Sequence, residues 1–308
     1  MHRTLVVSLP TDRTDQLIGR LEPLDAVVGL SVQRHGSLKP PGDVLTLHVL
    51  NNGIDEALRQ IAAVCTGTPY SIATAEQASL IDPSSDSLVE NDIDEAIWEE
   101  METGLRHQAR ITGNYLALMA LGGAMCAVGL VSEPVPQVIA FVAASVVAPG
   151  FEPIAKISLG LVLQNFNTVR RGLKSVLMGY GVLILTSAVV FALLRWAGVT
   201  SPTEFVNNQA VEMMAHPSAK DIIVSICGTL AGAIIIASYR RSIIAGALIA
   251  MVIISAAAMI GPALICGSWS LAVEGAERFA MDVALIIISC LIVFWAKQQF
   301  LHKRKPIV

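Results

Sequence analysis

Ile111–Val131 is a run of 21 residues without one charged side chain, and comparable apolar runs recur as far as Ala296. A helix needs about 20 such residues to cross a hydrocarbon core about 30 Å thick. A helix that is apolar on every side must also be covered on every side, by protein or by lipid. This feature confines most of the chain to a helical bundle in a bilayer. Composition agrees: 15% of the 308 residues are charged, where soluble domains average about 25%. Most of the Asp and Glu lie in residues 1–110, which read as a separate soluble domain. With a net charge of −4 there is no basic excess to meet a phosphate backbone. No nucleic-acid partner is therefore expected.

Further spans are expected at Leu173–Ala197, Ile222–Tyr239, Ser242–Cys266 and Phe279–Ala296. The 35 residues of Val135–Val169 are too many for one straight crossing. They are interrupted by Ala148-Pro149-Gly150-Phe151-Glu152-Pro153, which predicts two shorter helices with a broken centre, together making one crossing. Six crossings result. With the N-terminus inside, the inner loops carry eleven basic residues: Arg106, Arg110, Arg170, Arg171, Lys174, Arg240, Arg241, Lys297, Lys303, Arg304 and Lys305. The outer side carries three, Arg195, Lys220 and Arg278. This bias is the orientation signal of membrane proteins, and it predicts a multi-pass protein of the cell membrane with both termini in the cytosol. About five apolar residues precede Pro10, too few for a signal-peptide core, so the first membrane helix is the expected insertion signal. Trp196, Trp269 and Trp295 fall near span ends and read as interface anchors.

In the front domain, strands are expected at Leu5–Leu9, Val27–Gln33, Val44–Leu50 and Tyr70–Ala75. Helices are expected at Thr14–Leu24 and Ile54–Cys65, and GSLKPPGD reads as a turn. Val44–Leu50 has period two, with Leu45, Leu47 and Val49 on one face and Val44, Thr46, His48 and Leu50 on the other. The order β-α-β-β-α-β is the ferredoxin-like arrangement, which hosts many functions and so licenses none. Residues 81–93 form an acidic linker. Glu95–Arg110 is then an amphipathic helix with Ile97, Trp98, Met101 and Leu105 on one side. The resulting fold class is an α-helical polytopic membrane domain of six crossings, preceded by an α+β ferredoxin-like cytosolic domain. Its expected bounds are 1–80 for the front domain, 81–110 for the linker and amphipathic helix, 111–300 for the membrane domain and 301–308 for a basic tail.

The six crossings divide into two halves of three, Ile111–Ala197 and Ile222–Ala296. Three is odd, so the second half enters from the opposite face, the geometry of an inverted repeat. The middle segment of each half holds Gly and Pro: Pro149, Gly150 and Pro153 in the first, Gly261 and Pro262 after Ser255 in the second. Paired broken helices are the sequence pointer to a transporter's binding site, because a break frees backbone groups that neighbours, water or an ion must satisfy. Glu152 reads as the carboxylate set inside an apolar stretch, a functional candidate by its cost in lipid. Lys156, four residues on, is placed for an ion pair with it; a solvated Glu152 near the cytosolic surface is the alternative. Asn165 is a further polar candidate for the site. Most glycines here, Gly122, Gly123, Gly179 and Gly181 among them, serve close helix packing at least as readily as a path. The five cysteines never form a CxxC pair, so neither a disulfide, a metal site nor any other cofactor is expected.

The segment Ala144–Gly160, ASVVAPGFEPIAKISLG, resembles the broken helix of the prokaryotic membrane proteins grouped as domain-of-unknown-function family 389. Pro149, Pro153 and Ile154 match its spacing. His216-Pro217 followed by Asp221, and Ser255–Gly261, are similar to two further segments of that family. Glu152 and Ser255 depart from it, standing where many relatives carry Gly and Pro. The resemblance spans roughly 110–300 and implies the architecture; the family has no known activity to lend.

Two functions compete. One is a secondary transporter or channel for a small solute or ion, regulated by the cytosolic domain. The other is a non-transporting sensor or scaffold whose front domain binds a ligand or partner. No nucleophile, metal or nucleotide motif appears, so an enzyme is not expected. Lipid and a second copy of the chain, as a homo-oligomer, are the expected partners.

Overall fold

The computed structural model describes every residue except 1, 78, 94, 239–242, 304, 305, 307 and 308, together with the side chains of 243–251. Of the cations used above for orientation, Arg240, Arg241, Arg304 and Lys305 lie outside the described residues. Contacts divide the chain into two units, Met1–Glu100 with Lys297–Val308, and Met101–Ala296.

In the first unit, alternation of apolar and polar residues produces β1 (Arg3–Leu9), and α1 (Thr11–Leu21) follows directly after Pro10. The strands β2 (Val27–Leu38) and β3 (Pro41–Val49) form a hairpin, α2 (Ile54–Cys65) crosses back, and β4 (Ser71–Glu76) closes the sheet. The sheet is antiparallel throughout, in the order β2-β3-β1-β4. Leu5, Val7, Leu45, Leu47 and Val49 point from one face onto Leu17 and Leu21 of α1 and Leu58 and Ile61 of α2. Each such side chain contributes about 1.5–3 kcal/mol when fully buried.

GSLKPPGD is shorter as a turn than its composition suggests. Ser37 pairs with Gly42 and Leu38 with Pro41, so the hairpin reaches almost to its tip. Gly42 has φ +147°, and a Cβ there would meet the Leu9 carbonyl oxygen at 2.1 Å. The hairpin is pinned by Asp43, a buried carboxylate that accepts from Thr11 Oγ1 (3.0 Å), Arg34 Nη1 (3.0 Å) and the His35 N–H (2.8 Å). Burial alone would push this carboxyl up, but those donors outweigh it and hold it well below the usual carboxylate range. Its stabilising effect is therefore complete above the unfolded value near 4 and is lost as pH falls through the lower folded one. Asp43→Asn is expected to unfold the front unit earlier in denaturant at pH 7. The gap to the wild type should narrow as the pH is lowered towards 2; a gap independent of pH would contradict the assignment.

The acidic linker contains the short helix α3 (Asp86–Glu90) and is tied down by Asp92, which accepts from the Asn51 and Asn52 N–H groups. Arg3 is buried and gathers the rest: Nε and Nη2 donate to Glu100, Nη1 to Asn51 Oδ1, and Nη2 to the Glu95 carbonyl. Residues 297–302 join the same unit. Lys297 pairs with Glu95 and stands 5.9 Å over the Trp98 ring, whose Nε1 donates to the His302 carbonyl. His302 in turn meets Asp55 at 3.1 Å.

The second unit is helical: α4 (Trp98–Gln108), whose first turn belongs to the first unit, α5 (Gly113–Gly129), α6 (Pro134–Val147), α7 (Phe151–Val162) and α8 (Phe166–Trp196). Two short helices, α9 (Pro202–Val206) and α10 (Gln209–Ala215), fill a stretch in which the apolar pattern predicts no element. Then come α11 (Ala219–Ala237), α12 (Ile243–Ile265) and α13 (Trp269–Phe300). Side chains start several of them: Thr112 and Asn165 cap α5 and α8, and Ser201 and Ser218 form capping boxes with Glu204 and Asp221.

Among the described residues three helices, α8, α11 and α13, are long and apolar enough to cross a membrane, or up to five spans if the bent pairs α4–α5 (67°) and α6–α7 (45°) each count as one. Within the unit only 33%, 22% and 28% of the three apolar windows is buried. Leu177, Leu185, Ile223 and Ile288 are among the residues left bare, and such surface needs apolar surroundings.

The structure corrects three expectations. The second half has no broken middle helix at Gly261-Pro262: α12 runs through Pro262 to Ile265. Proline removes the N–H that would bond the carbonyl four residues back, and that carbonyl, of Ala258, instead accepts from the Ser187 hydroxyl of α8 at 2.8 Å. A neighbour has replaced the missing bond, so no break is needed. Ser187→Ala should leave the buried carbonyl unpaired at a cost of about 1–3 kcal/mol, measurable as a lower melting temperature of the purified chain; an unchanged value would contradict this role. Secondly, α13 begins at Trp269 rather than Phe279, which takes Arg278 out of the outer loop and into a helix, 5% exposed. Thirdly, Glu152 is not alone as an intraspan carboxylate, since Asp282 is buried within α13.

Candidate functional site

The break between α6 and α7 is built as its residues dictate. Ala148 leaves the helix with an extended backbone, and Gly150 re-enters helical geometry as the cap of α7. Pro153 follows within the first turn, where a missing N–H costs nothing. The Gly150 carbonyl accepts from Tyr180 Oη of α8 at 3.0 Å. A Cβ on Gly150 would lie 2.8 Å from that hydroxyl and 3.1 Å from Ile254 of α12, so α8 and α12 both close on this one residue.

Tyr180 extends the site towards α13. Its ring packs on Phe279 with centroids 4.7 Å apart and planes tilted by 54°. Beside Phe279 stands a buried ion pair, Arg278 Nε to Asp282 Oδ2 at 3.1 Å, and Arg278 Nη2 donates to Ser225 Oγ of α11 at 2.8 Å. Arg278 Nη1 and Asp282 Oδ1 are buried with no hydrogen-bond partner. The Tyr180 hydroxyl lies within electrostatic reach of Glu152, Asp282 and Tyr115. Tyr115 itself donates to the Ser175 carbonyl at 2.8 Å. Residues from α5, α7, α8, α11, α12 and α13 thus meet around one aromatic pair.

The sequence-derived candidates divide around this point. Pro149, Gly150, Glu152 and Pro153 are part of it, and Ser255 neighbours it on α12, its hydroxyl bonded within its own turn to the Val252 carbonyl. Glu152 is half-buried. Lys156 is 5% exposed and lies within reach of Arg106, Arg171 and Glu102, one turn along α7 from the break. Among the described residues the ion pairs of this unit are Arg106–Glu102 and Arg278–Asp282, and Glu152 and Lys156 form none with each other. Gly261 serves packing: its Cβ would meet the Ile184 carbonyl oxygen of α8 at 2.5 Å. Asn165 is committed to capping α8, accepting from the Thr168 N–H. Arg278, Asp282 and Tyr180 were not predicted as site residues, whereas Ser225 is one of the polar residues the sequence offers. An Arg and an Asp four residues apart, at the head of an apolar run, are the signal that marks the first two.

The family comparison meets the same stretch of chain. Residues 145–288 match the family described as Domain of unknown function (DUF389). Over these residues the chain is similar to that family. The matched segment contains the break, Tyr180, Ser225, Arg278 and Asp282, while Tyr115 of α5 lies before it. Neither a curated protein nor a solved structure matches the chain. The DUF389 description carries no activity, and the chemistry must be argued from the site.

Proposed function

We propose that the chain is a secondary transporter or channel of the cell membrane, moving a small polar solute or ion past the α6–α7 break. In this reading there are six crossings, α5, α6 with α7, α8, α11, α12 and α13. They form two inverted halves, and both termini lie in the cytosol. The front unit is a ferredoxin-like regulatory domain; the order β2-β3-β1-β4 of its antiparallel sheet supports that. The observation that carries the transport reading is the buried Arg278–Asp282 pair next to a helix break inside a span-like bundle. Charge in such surroundings is expensive and is kept where a polar path or cargo uses it. The 23 residues of α12 supply the sixth crossing.

The test is uptake or conductance by the purified chain in proteoliposomes, screened over small ions and polar solutes. The reading expects a saturable flux above that of empty vesicles, reduced in Glu152→Gln if that carboxylate faces the path. Silence across the panel would favour the sensor reading, and flux unchanged in Glu152→Gln would remove Glu152 from the path.

A further inference from the structure

We propose that Arg278 and Asp282 form the recognition point for a small solute whose headgroup is uncharged overall and offers both a hydrogen-bond acceptor and a donor. A carboxamide or a zwitterionic ammonium–carboxylate pair has this chemistry. The inference deepens the transport reading by naming the class of its substrate.

A guanidinium has five N–H donors. Arg278 commits Nε to Asp282 and Nη2 to Ser225, while Nη1 is buried and unused. Asp282 accepts at Oδ2 and leaves Oδ1 buried and unused. The two residues sit one turn apart on α13, and each keeps one buried polar atom unused, a donor on Arg278 and an acceptor on Asp282. Unmade bonds at buried charged groups are strongly unfavourable, so the arrangement calls for a guest that fills both.

Charge then narrows the guest. The pair is neutral as a unit, and a further full charge in a dry bundle would go uncompensated. A bare anion at Arg278 would also meet the Asp282 carboxylate already paired with that guanidinium. A bare cation would compete with the guanidinium for Asp282. A guest that is neutral as a whole avoids both penalties, giving its acceptor to Arg278 and its donor to Asp282.

The test uses the full chain in lipid nanodiscs, with its melting temperature followed against glycine, acetamide, acetate and methylammonium at matched ionic strength. Glycine or acetamide is expected to raise the melting temperature saturably, and which of them does so separates the zwitterion from the carboxamide. Acetate and methylammonium should not. Ser225→Ala, which removes one brace of Arg278, should weaken the effective probe about tenfold. Arg278→Met with Asp282→Leu removes both charges together, a change buried pairs tolerate, and should abolish the shift in a chain that still folds. No shift with any probe would mean that water alone fills the site and would overturn the proposal. So would a response to acetate alone, or a shift that survives the double substitution. Probe binding without uptake would overturn the transport reading and leave this site standing; uptake indifferent to the double substitution would do the reverse.

Discussion

Asp282→Ala is expected to destabilise the helical unit by about 3–5 kcal/mol, because it leaves the Arg278 guanidinium buried with only Ser225 as a partner. Arg278 is 5% exposed and Asp282 3%, so solvent offers little screening. Removing both charges, as Arg278→Met with Asp282→Leu, should return the chain to within about 1 kcal/mol of the wild type or above it. The contrast is the informative quantity, measured as denaturation midpoints of the detergent-purified chain. If the single and double variants were equally mild, the pair would be solvated and not buried. A residual cost in the double variant equal to that of the single would point to lost packing around Phe279 instead.

The second large effect belongs to Arg3. Its side chain is 1% exposed and donates to Glu100, Asn51 and the Glu95 carbonyl, binding the first strand to residues 95–100. Arg3→Ala should cost about 3–5 kcal/mol, chiefly because Glu100 loses the guanidinium that neutralises it in a nearly buried position. Arg3→Lys should recover only part, since an ammonium cannot make the forked contact with the carboxylate. Hydrogen–deuterium exchange on the full chain reads this locally. Exchange should rise in β1, at Asn51–Gly53 and across residues 92–100, and protection unchanged there would contradict the role given to Arg3.

Those two sites also show what sequence can and cannot carry. Local signals were legible. The helix Ile54–Cys65 has the same bounds in sequence and structure, the alternation of Leu45, Leu47 and Val49 gives the core face of β3, and the Pro-Gly-Phe-Glu-Pro run breaks the helix where expected. In each case the information sits within a few residues. Pro262 misled because its consequence is decided elsewhere: Ser187, 71 residues from Ala258, supplies that carbonyl with the bond the proline ring removes. Arg278 misled similarly, since a cation at the head of an apolar run looks like a loop charge until Ser225 and Asp282 are seen around it. Glu100 meets Arg3 across 97 residues, and Trp98 meets His302 across 204. Periodicity is blind to such pairings, because it reports which face of an element is apolar and not what the other face meets.

The most direct test of the whole account is solute uptake by proteoliposomes holding either the wild-type chain or the Arg278→Met, Asp282→Leu variant at equal density. The account predicts saturable uptake of a small, overall neutral polar solute by the wild type and none above background by the equally stable variant. Equal uptake by the two would contradict it.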